Sequence, residues 1–464
     1  MKMDMTKGKE WKNVLLFTLP IVVGNLLQQL YNTVDGVILG NFVGDSALAA
    51  VVTTQSLVFL FLSLALGLAT GVGIVVAQYF GARRQEEIPS AIDTALILLG
   101  VSGVLLTAVA WVTTPFLLRA LLNVPEEIMP LAIVYFRIFS LGFPFQFMFN
   151  GIAAILRGIG DSKAMLYFLL IATGLSLVLN LIFVLGLGWG IEAVAAASAI
   201  AQAGCAIVSY IYMRKRFPYV RTGVHWNGKI AKLMTKLGAP IAIQFGIVSV
   251  GNGTMQRLVN GFEQTVPGII AAFGVANRLD FFIFAPIMSF QSGLASFTGQ
   301  NVGAGRLDRV KRGYYSTHIM SLTLTVTLSV LLYIFATPLI GFFGLTGEAL
   351  RIGVEQVRFF ALIMWIFAGY VTLGGLLQGA GDTVLQSAAT ITALFVRIVA
   401  SYVAVHFGWL GYEAAWVTNP IGWGAAIIIV YTRYFTGGWK KKAIVGNLKH
   451  EKGQGHEPIE GTEG

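Results

Sequence analysis

The chain has 464 residues, of which 56% are hydrophobic and 12% charged, with a formal net charge of +10 and a mean hydropathy of +0.74. A soluble globular chain carries about 25% charged residues, so this composition excludes a water-soluble enzyme and a disordered chain. A single cysteine, Cys205, excludes a disulfide framework and a thiolate metal site.

A helix crossing about 30 Å of hydrocarbon needs about 20 residues. Apolar runs fall at about 14–40, 50–78, 90–118, 129–150, 164–186 and 190–213. A second set falls at about 233–260, 268–297, 314–341, 352–377, 384–407 and 411–434. The ten-residue alternation of a membrane β-barrel is absent, so the expected fold is an all-α polytopic membrane protein with twelve transmembrane helices. The basic stretch Met1 to Lys12 leads into a run too long for a signal peptide and without a small-residue cleavage site, so it is expected to be retained.

Basic residues gather in alternate loops: Lys2 to Lys12, Arg83 and Arg84, Arg157 and Lys163, Arg214 to Lys229, Arg306 to Arg312, and Lys440 to Lys442. This positive-inside pattern places both ends of the chain in the cytoplasm of a plasma (inner) membrane. It also accounts for the net charge without a nucleic-acid partner. The expected divisions are a cytoplasmic N-terminus at 1–13, a first six-helix bundle at 14–213, a cytoplasmic linker at 214–232, a second bundle at 233–435, and a tail at 436–464. That tail starts basic and is expected to be disordered from about Gly446, where it turns polar and Gly-rich.

The chain then repeats itself. Pro20 recurs as Pro240, Gln78 with Gly81-Ala82 as Gln300 with Gly303-Ala304, Pro115 as Pro338, and Arg137 as Arg358. RGIGDS at 157–162 recurs as QGAGDT at 378–383, and WGIEAVA at 189–195 as LGYEAAW at 410–416, every offset lying between 220 and 223 residues. Six spans per repeat give both halves one orientation, and such parallel repeats enclose a central cavity, as transporters do. The two Gly-Asp motifs read as short turns, with Gly at positive φ and Asp161 and Asp382 capping the next helix. No Walker A sequence or His-Glu ligand pair occurs, so no enzymatic activity, cofactor or metal site is expected.

An ionisable residue inside a span is a functional candidate. Asp35 lies deep in the first span, one turn beyond Tyr31 on the same face, where its charge would depend on what lies beside it; the alternative is a helix-end cap. In span eight, Asn277, Arg278 and Asp280 interrupt an apolar run. An Arg278–Asp280 pair would reduce the cost of burial, and a second cation or substrate site is the alternative. Arg397 is expected to bridge to Asp280 or to bond helix carbonyls. Tyr31, Asn150, Gln256, Asn277, Arg278 and Asp280 are the candidates for lining a substrate cavity. Phe273, Phe281, Phe284, Met288 and Phe290 face either that cavity or lipid. Arg137 and Arg358 are expected to snorkel to the interface, and Glu192 and Glu413 to favour helix N-termini.

The first-span sequence LPIVVGNLLQQLYNTVDGVILG, the Gln78 to Gly81-Ala82 end of span two, and ILRGIGDS after span four resemble the MATE (multidrug and toxic compound extrusion) family over about residues 12–435. The N-half acid, with none in span seven, is similar to the branch named for DNA-damage-inducible protein F. The resemblance implies a monomeric antiporter that exports small amphipathic, cationic compounds in exchange for H+ or Na+, without a cofactor. It implies that Asp35 is the cation-linked acid, with Ser176, Asn180 and Ser198 around it. Asn180 stands where many relatives have a second carboxylate, which favours protons over sodium. A lipid-linked oligosaccharide flippase and a channel are the rival readings.

Overall fold

The structure is a computed structural model that describes residues 3–42, 45–120, 122, 124–217 and 225–444, with the side chains of 30–42, 45, 48 and 185 left undescribed. The tail expected to be disordered from Gly446 lies outside the described residues. Helices account for nearly everything described, with no strand among these residues. In the first half run α1 (Glu10–Phe42), α2 (Asp45–Gly81), α3 (Glu87–Ala120), α4 (Met129–Ser140), α5 (Phe143–Gly158), α6 (Lys163–Asn180) and α7 (Ile191–Arg216). In the second run α8 (Gly228–Asn260), α9 (Ile269–Gly303), α10 (Leu307–Phe342), α11 (Gly347–Ala380), α12 (Thr383–His406), α13 (Ala414–Val417) and α14 (Asn419–Phe435).

Among the described residues ten helices are long and apolar enough to cross a membrane, and the α4–α5 pair, bent by 47°, makes an eleventh. α1, 33 residues long, completes the expected twelve. The α4–α5 break falls at Gly142-Phe143-Pro144, where proline at the start of α5 cannot continue the previous helix. Its repeat counterpart α11 has no proline and is unbroken. The two turns have the expected glycines, Gly160 at φ +88° and Gly381 at φ +93°.

Asp161 does cap α6, accepting from Ala164 N–H at 3.3 Å, and also accepts from Tyr212 Oη at 2.8 Å. Asp382 departs from the expectation: it makes no cap bond to α12 and instead pairs with Arg433 at 2.6 Å. Tyr212 and Arg433 are repeat equivalents, so the same position anchors the turn with a hydroxyl in one half and a guanidinium in the other. Glu413 accepts from the Gly411 N–H at 3.0 Å, holding the start of the last span.

The hydrophobic cores follow the repeat with one exchange. The first-half core includes Ile230, Met234 and Leu237 from the start of α8, and Ile444 from beyond α14. The second-half core includes Met5, Val14, Phe17 and Ile21 from the chain start and α1. Each half's first helix therefore begins inside the opposite half, at the end of the molecule that carries the basic loops. α2 and α9 cross there so closely that a Cβ on Gly81 would lie 1.9 Å from the Gln300 carbonyl, and one on Gly303 would lie 2.0 Å from that of Gln78. Only glycine permits this approach.

The chain start is also held by charge. Glu10 pairs with Arg309 at 3.2 Å and Arg312 at 3.0 Å. Burial alone would raise its carboxyl's pKa, but the helix-start backbone N–H and these two guanidiniums outweigh that and hold it below its ordinary value.

Candidate functional site

Tyr31 and Asp35 fall on α1, but their side chains lie outside the described ones. The backbone fixes their depth. A Cβ on Gly24 would meet Leu169 and Leu166 of α6 at 3.6 and 4.0 Å, and the two helices run in the same direction. Residue 35 is eleven positions beyond Gly24, and residues 177 and 180 are eleven beyond Leu166 and Leu169. At about 1.5 Å per residue in both helices, residue 35 is level with the last turn of α6. Ser176 and Asn180 stand on that turn, buried and four positions apart. α7 runs the other way, with Gly204 against Leu175, and so carries Ser198, half-buried, to the same level. The backbones at residue 35 of α1, at Ser176 and Asn180 of α6 and at Ser198 of α7 thus stand at one depth.

Directly after Asn180 the helix widens into a π-helical turn, Leu181–Gly186. Such turns are rare and are found disproportionately at functional sites. The sequence reading passed over this turn, because a π turn has no residue pattern of its own.

In the second half the structure corrects the reading of span eight. Arg278 is exposed, whereas Asp280 is 2% exposed. Positions i and i+2 on a helix do not face each other, and no ion pair joins them. Arg397 does not reach Asp280 either; its Nη2 donates to the Ala415 carbonyl at 2.9 Å, which was the other expectation for it. Both carboxylate oxygens of Asp280 are buried without a hydrogen-bond partner among the described residues. Beside it on α11 stands Gln356, fully buried, whose Nε2 donates to Asn277 Oδ1 at 3.1 Å. Gln356 escaped the sequence reading, although an amide inside span ten was a visible signal. Asn277, Asp280 and Gln356 are therefore brought together, and Arg278 is not among them.

The remaining cavity candidates are occupied locally. Asn150 Nδ2 donates to the Gln146 carbonyl of its own helix at 2.8 Å. Gln256 Nε2 donates to Asn260 Oδ1, also on its own helix, at 2.8 Å. Of the aromatic candidates, Phe281 and Met288 are exposed, Phe273 and Phe290 are buried, and Phe284 packs edge-on against Phe367 at 4.7 Å. Arg137 and Arg358 each lie over an aromatic ring of the preceding span, Trp111 at 5.6 Å and Tyr333 at 5.3 Å. These are equivalent cation–π contacts in the two halves.

The described contacts between halves run from the basic end to past the middle of α2. They extend from the Gly81–Gly303 crossing through Thr18 against Gly293, to Asn25 Nδ2 donating to Ser289 Oγ at 2.9 Å, and to Gly246 against Leu60. Residue 35 lies ten positions beyond Asn25 on α1 and Asp280 nine positions beyond Ser289 on α9, both away from the basic end and one in each half.

Comparison with known proteins agrees with this architecture. The chain is 27% identical over 453 residues to "Probable multidrug resistance protein YoeA" of Bacillus subtilis, covering 95% of this chain and 96% of that one. It is 28% identical over 441 residues to "Probable multidrug resistance protein YpnP" of the same organism, covering 94% and 97%. Among solved structures, the outward-facing conformation of a multidrug resistance MATE family transporter of the MOP superfamily superposes with a TM-score of 0.86 at 22% identity, covering 94% of this chain and 98% of that one. The MatE family model matches twice, at residues 20–182 and 240–403, once within each copy of the internal repeat. The chain is a member of the MatE family, an integral multi-pass membrane transporter and not an enzyme.

Proposed function

We propose that this protein is a monomeric secondary antiporter of the plasma membrane, with both chain ends cytoplasmic, exporting amphipathic cationic compounds by alternating access in exchange for protons. The observation that carries this reading is the run of described contacts that joins the halves from the basic end, with residue 35 and Asp280 about ten positions beyond the Asn25–Ser289 contact on their helices. Sealing one end while the other stays open is what a rocking exporter requires of one of its two states. The names of the relatives agree with drug export, and no observation favours the flippase.

Coupling requires a group that changes charge between the two states. Asp35 is the first choice, at the depth where α6 presents Ser176 and Asn180 and α7 presents Ser198. With one carboxylate on this side, a proton is the coupling ion that needs the fewest ligands. Asp280 is the second choice, because a buried carboxylate with no ion-pair partner among the described residues has a desolvation cost that a bound cation would offset.

The experiment is efflux from proteoliposomes under an imposed proton or sodium gradient, with a lipophilic cationic dye as cargo. Asp35→Asn should insert and fold yet lose gradient-driven export, whereas Asp280→Asn should retain most of it. Full export by folded Asp35→Asn protein, with loss in Asp280→Asn, would move the coupling site to the second half. Dependence on sodium alone would overturn the proton assignment.

A further inference from the structure

Gln78 and Gln300 occupy equivalent positions in the two halves, both fully buried, and make the same crossed set of bonds. Gln78 Nε2 donates to the Gly379 carbonyl of the other half at 3.1 Å, and its Oε1 accepts from the Ile444 backbone N–H at 2.9 Å. Gln300 Nε2 donates to the Gly158 carbonyl at 2.9 Å, and its Oε1 accepts from the Met5 backbone N–H at 2.9 Å. Gly158 and Gly379 are themselves repeat equivalents, at the ends of α5 and α11.

Met5 and Ile444 belong to the segments just outside the helical bundle, and each segment rests on a Gly-Asp turn of its own half. Met3 N–H donates to the Gly160 carbonyl at 3.1 Å. The Lys442 carbonyl lies 3.1 Å from where a Cβ on Gly381 would stand. The first segment is also bonded to α9, to α10 and to the turn between them: the Met5 carbonyl accepts from Asn301 at 3.2 Å and from Arg309 at 3.2 Å, and that of Thr6 from Arg306 at 2.7 Å. Both segments are capped by buried apolar side chains, Met5 on one and Trp439 with Ile444 on the other.

We propose that segments 3–9 and 439–444 are the bolts of a gate at the basic end, and that both must leave the crossed glutamines before the halves can part there. Each glutamine amide holds two things at once, the facing helix end with its nitrogen and a bolt with its oxygen. Losing one partner leaves a buried polar group unpaired, which removes the advantage of keeping the other. Release is therefore cooperative, and the chain ends move with the transport cycle instead of trailing from it. This rests on the alternating-access reading above.

The test measures gate opening directly. In a Cys205→Ser background, spin labels at Gln85→Cys and Lys311→Cys, both exposed on opposite halves at the basic end, report the distance across the gate by pulsed electron resonance in nanodiscs. Met5→Pro and Ile444→Pro each delete the N–H that a glutamine accepts. Met5→Ala and Ile444→Ala keep the N–H but trim the side chain. Each proline variant should raise the ratio of open to closed distances about three- to tenfold, the effect of one hydrogen bond, and more than its alanine control. Adding Gln300→Ala to Met5→Pro should raise the ratio less than the two separate effects combined, whereas adding Gln78→Ala should give its full separate effect. Proline and alanine variants with equal ratios, or ratios unchanged from the parent, would overturn the bolts while leaving alternating access intact. A single unchanging distance in every variant, at every pH and sodium concentration, would overturn alternating access and the bolts together. Should the glutamine variants fail to fold, the proline–alanine comparison still decides.

Discussion

Two positions separate Arg278 from Asp280 on α9, and on a helix that is enough to send one outward and the other inward. The pairing expected from their closeness in sequence ignores the 3.6-residue turn, which brings together positions three or four apart. The consequence is measurable in thermal melting of the detergent-purified protein. Asp280→Asn should leave the melting temperature unchanged or raise it, since it replaces a buried acid, whose charged form is costly to desolvate, with a neutral amide of the same shape. Arg278→Gln should add its own small effect independently, with the double variant within about 0.5 kcal/mol of the sum. A double variant markedly more stable than Asp280→Asn alone would restore the pair. Gln356 is a case of the opposite kind: an amide inside a span is visible in the sequence, but only the parallel packing of α11 beside α9 brings it to Asn277 and Asp280.

At the scale of elements, the crossing of α2 over α9 depends on two glycines whose hydrogens face carbonyl oxygens of the other helix. Gly81→Ala and Gly303→Ala each place a methyl group against backbone that cannot rotate away. Each should cost about 1–3 kcal/mol of stability, as overpacking does, or push the helices apart at that end. Lower melting temperature, or greater protease sensitivity at the 82–86 loop, would register it. Gly174→Ala, in open space on α6, is the control and should change little. A Gly81→Ala protein as stable as the parent would show that the crossing is looser than described. Spans, turns and the halves themselves were legible in the sequence, because hydrophobic runs and repeated motifs are local or periodic signals. The break between α4 and α5 was readable in principle from Gly142 and Pro144. The π turn after Asn180 was not, since widening a helix by one residue leaves no mark on composition.

For the whole molecule, the basic loops predict one side for both ends of the chain and for the 214–232 linker. Tags placed at each of these three positions should be protected from protease in intact cells and cleaved in inside-out vesicles. Cleavage of any of them in intact cells would overturn the arrangement. The partners of Gln78 and Gln300 could not be foreseen in this way. The Met5–Gln300 bond spans 295 residues and the Gln78–Ile444 bond 366, and no local pattern announces a contact between a chain end and the opposite half. The exchange of chain ends has a consequence for biosynthesis. The first half can insert as soon as it is made, but its core is completed only by α8 and finally by Ile444. Met5, made long before its partner, has to wait for Gln300. The nascent protein thus carries an unfinished basic face until residue 444 has left the ribosome. A protein fused immediately after that residue would sit where the last piece must dock, so a spacer there should decide whether such a fusion matures.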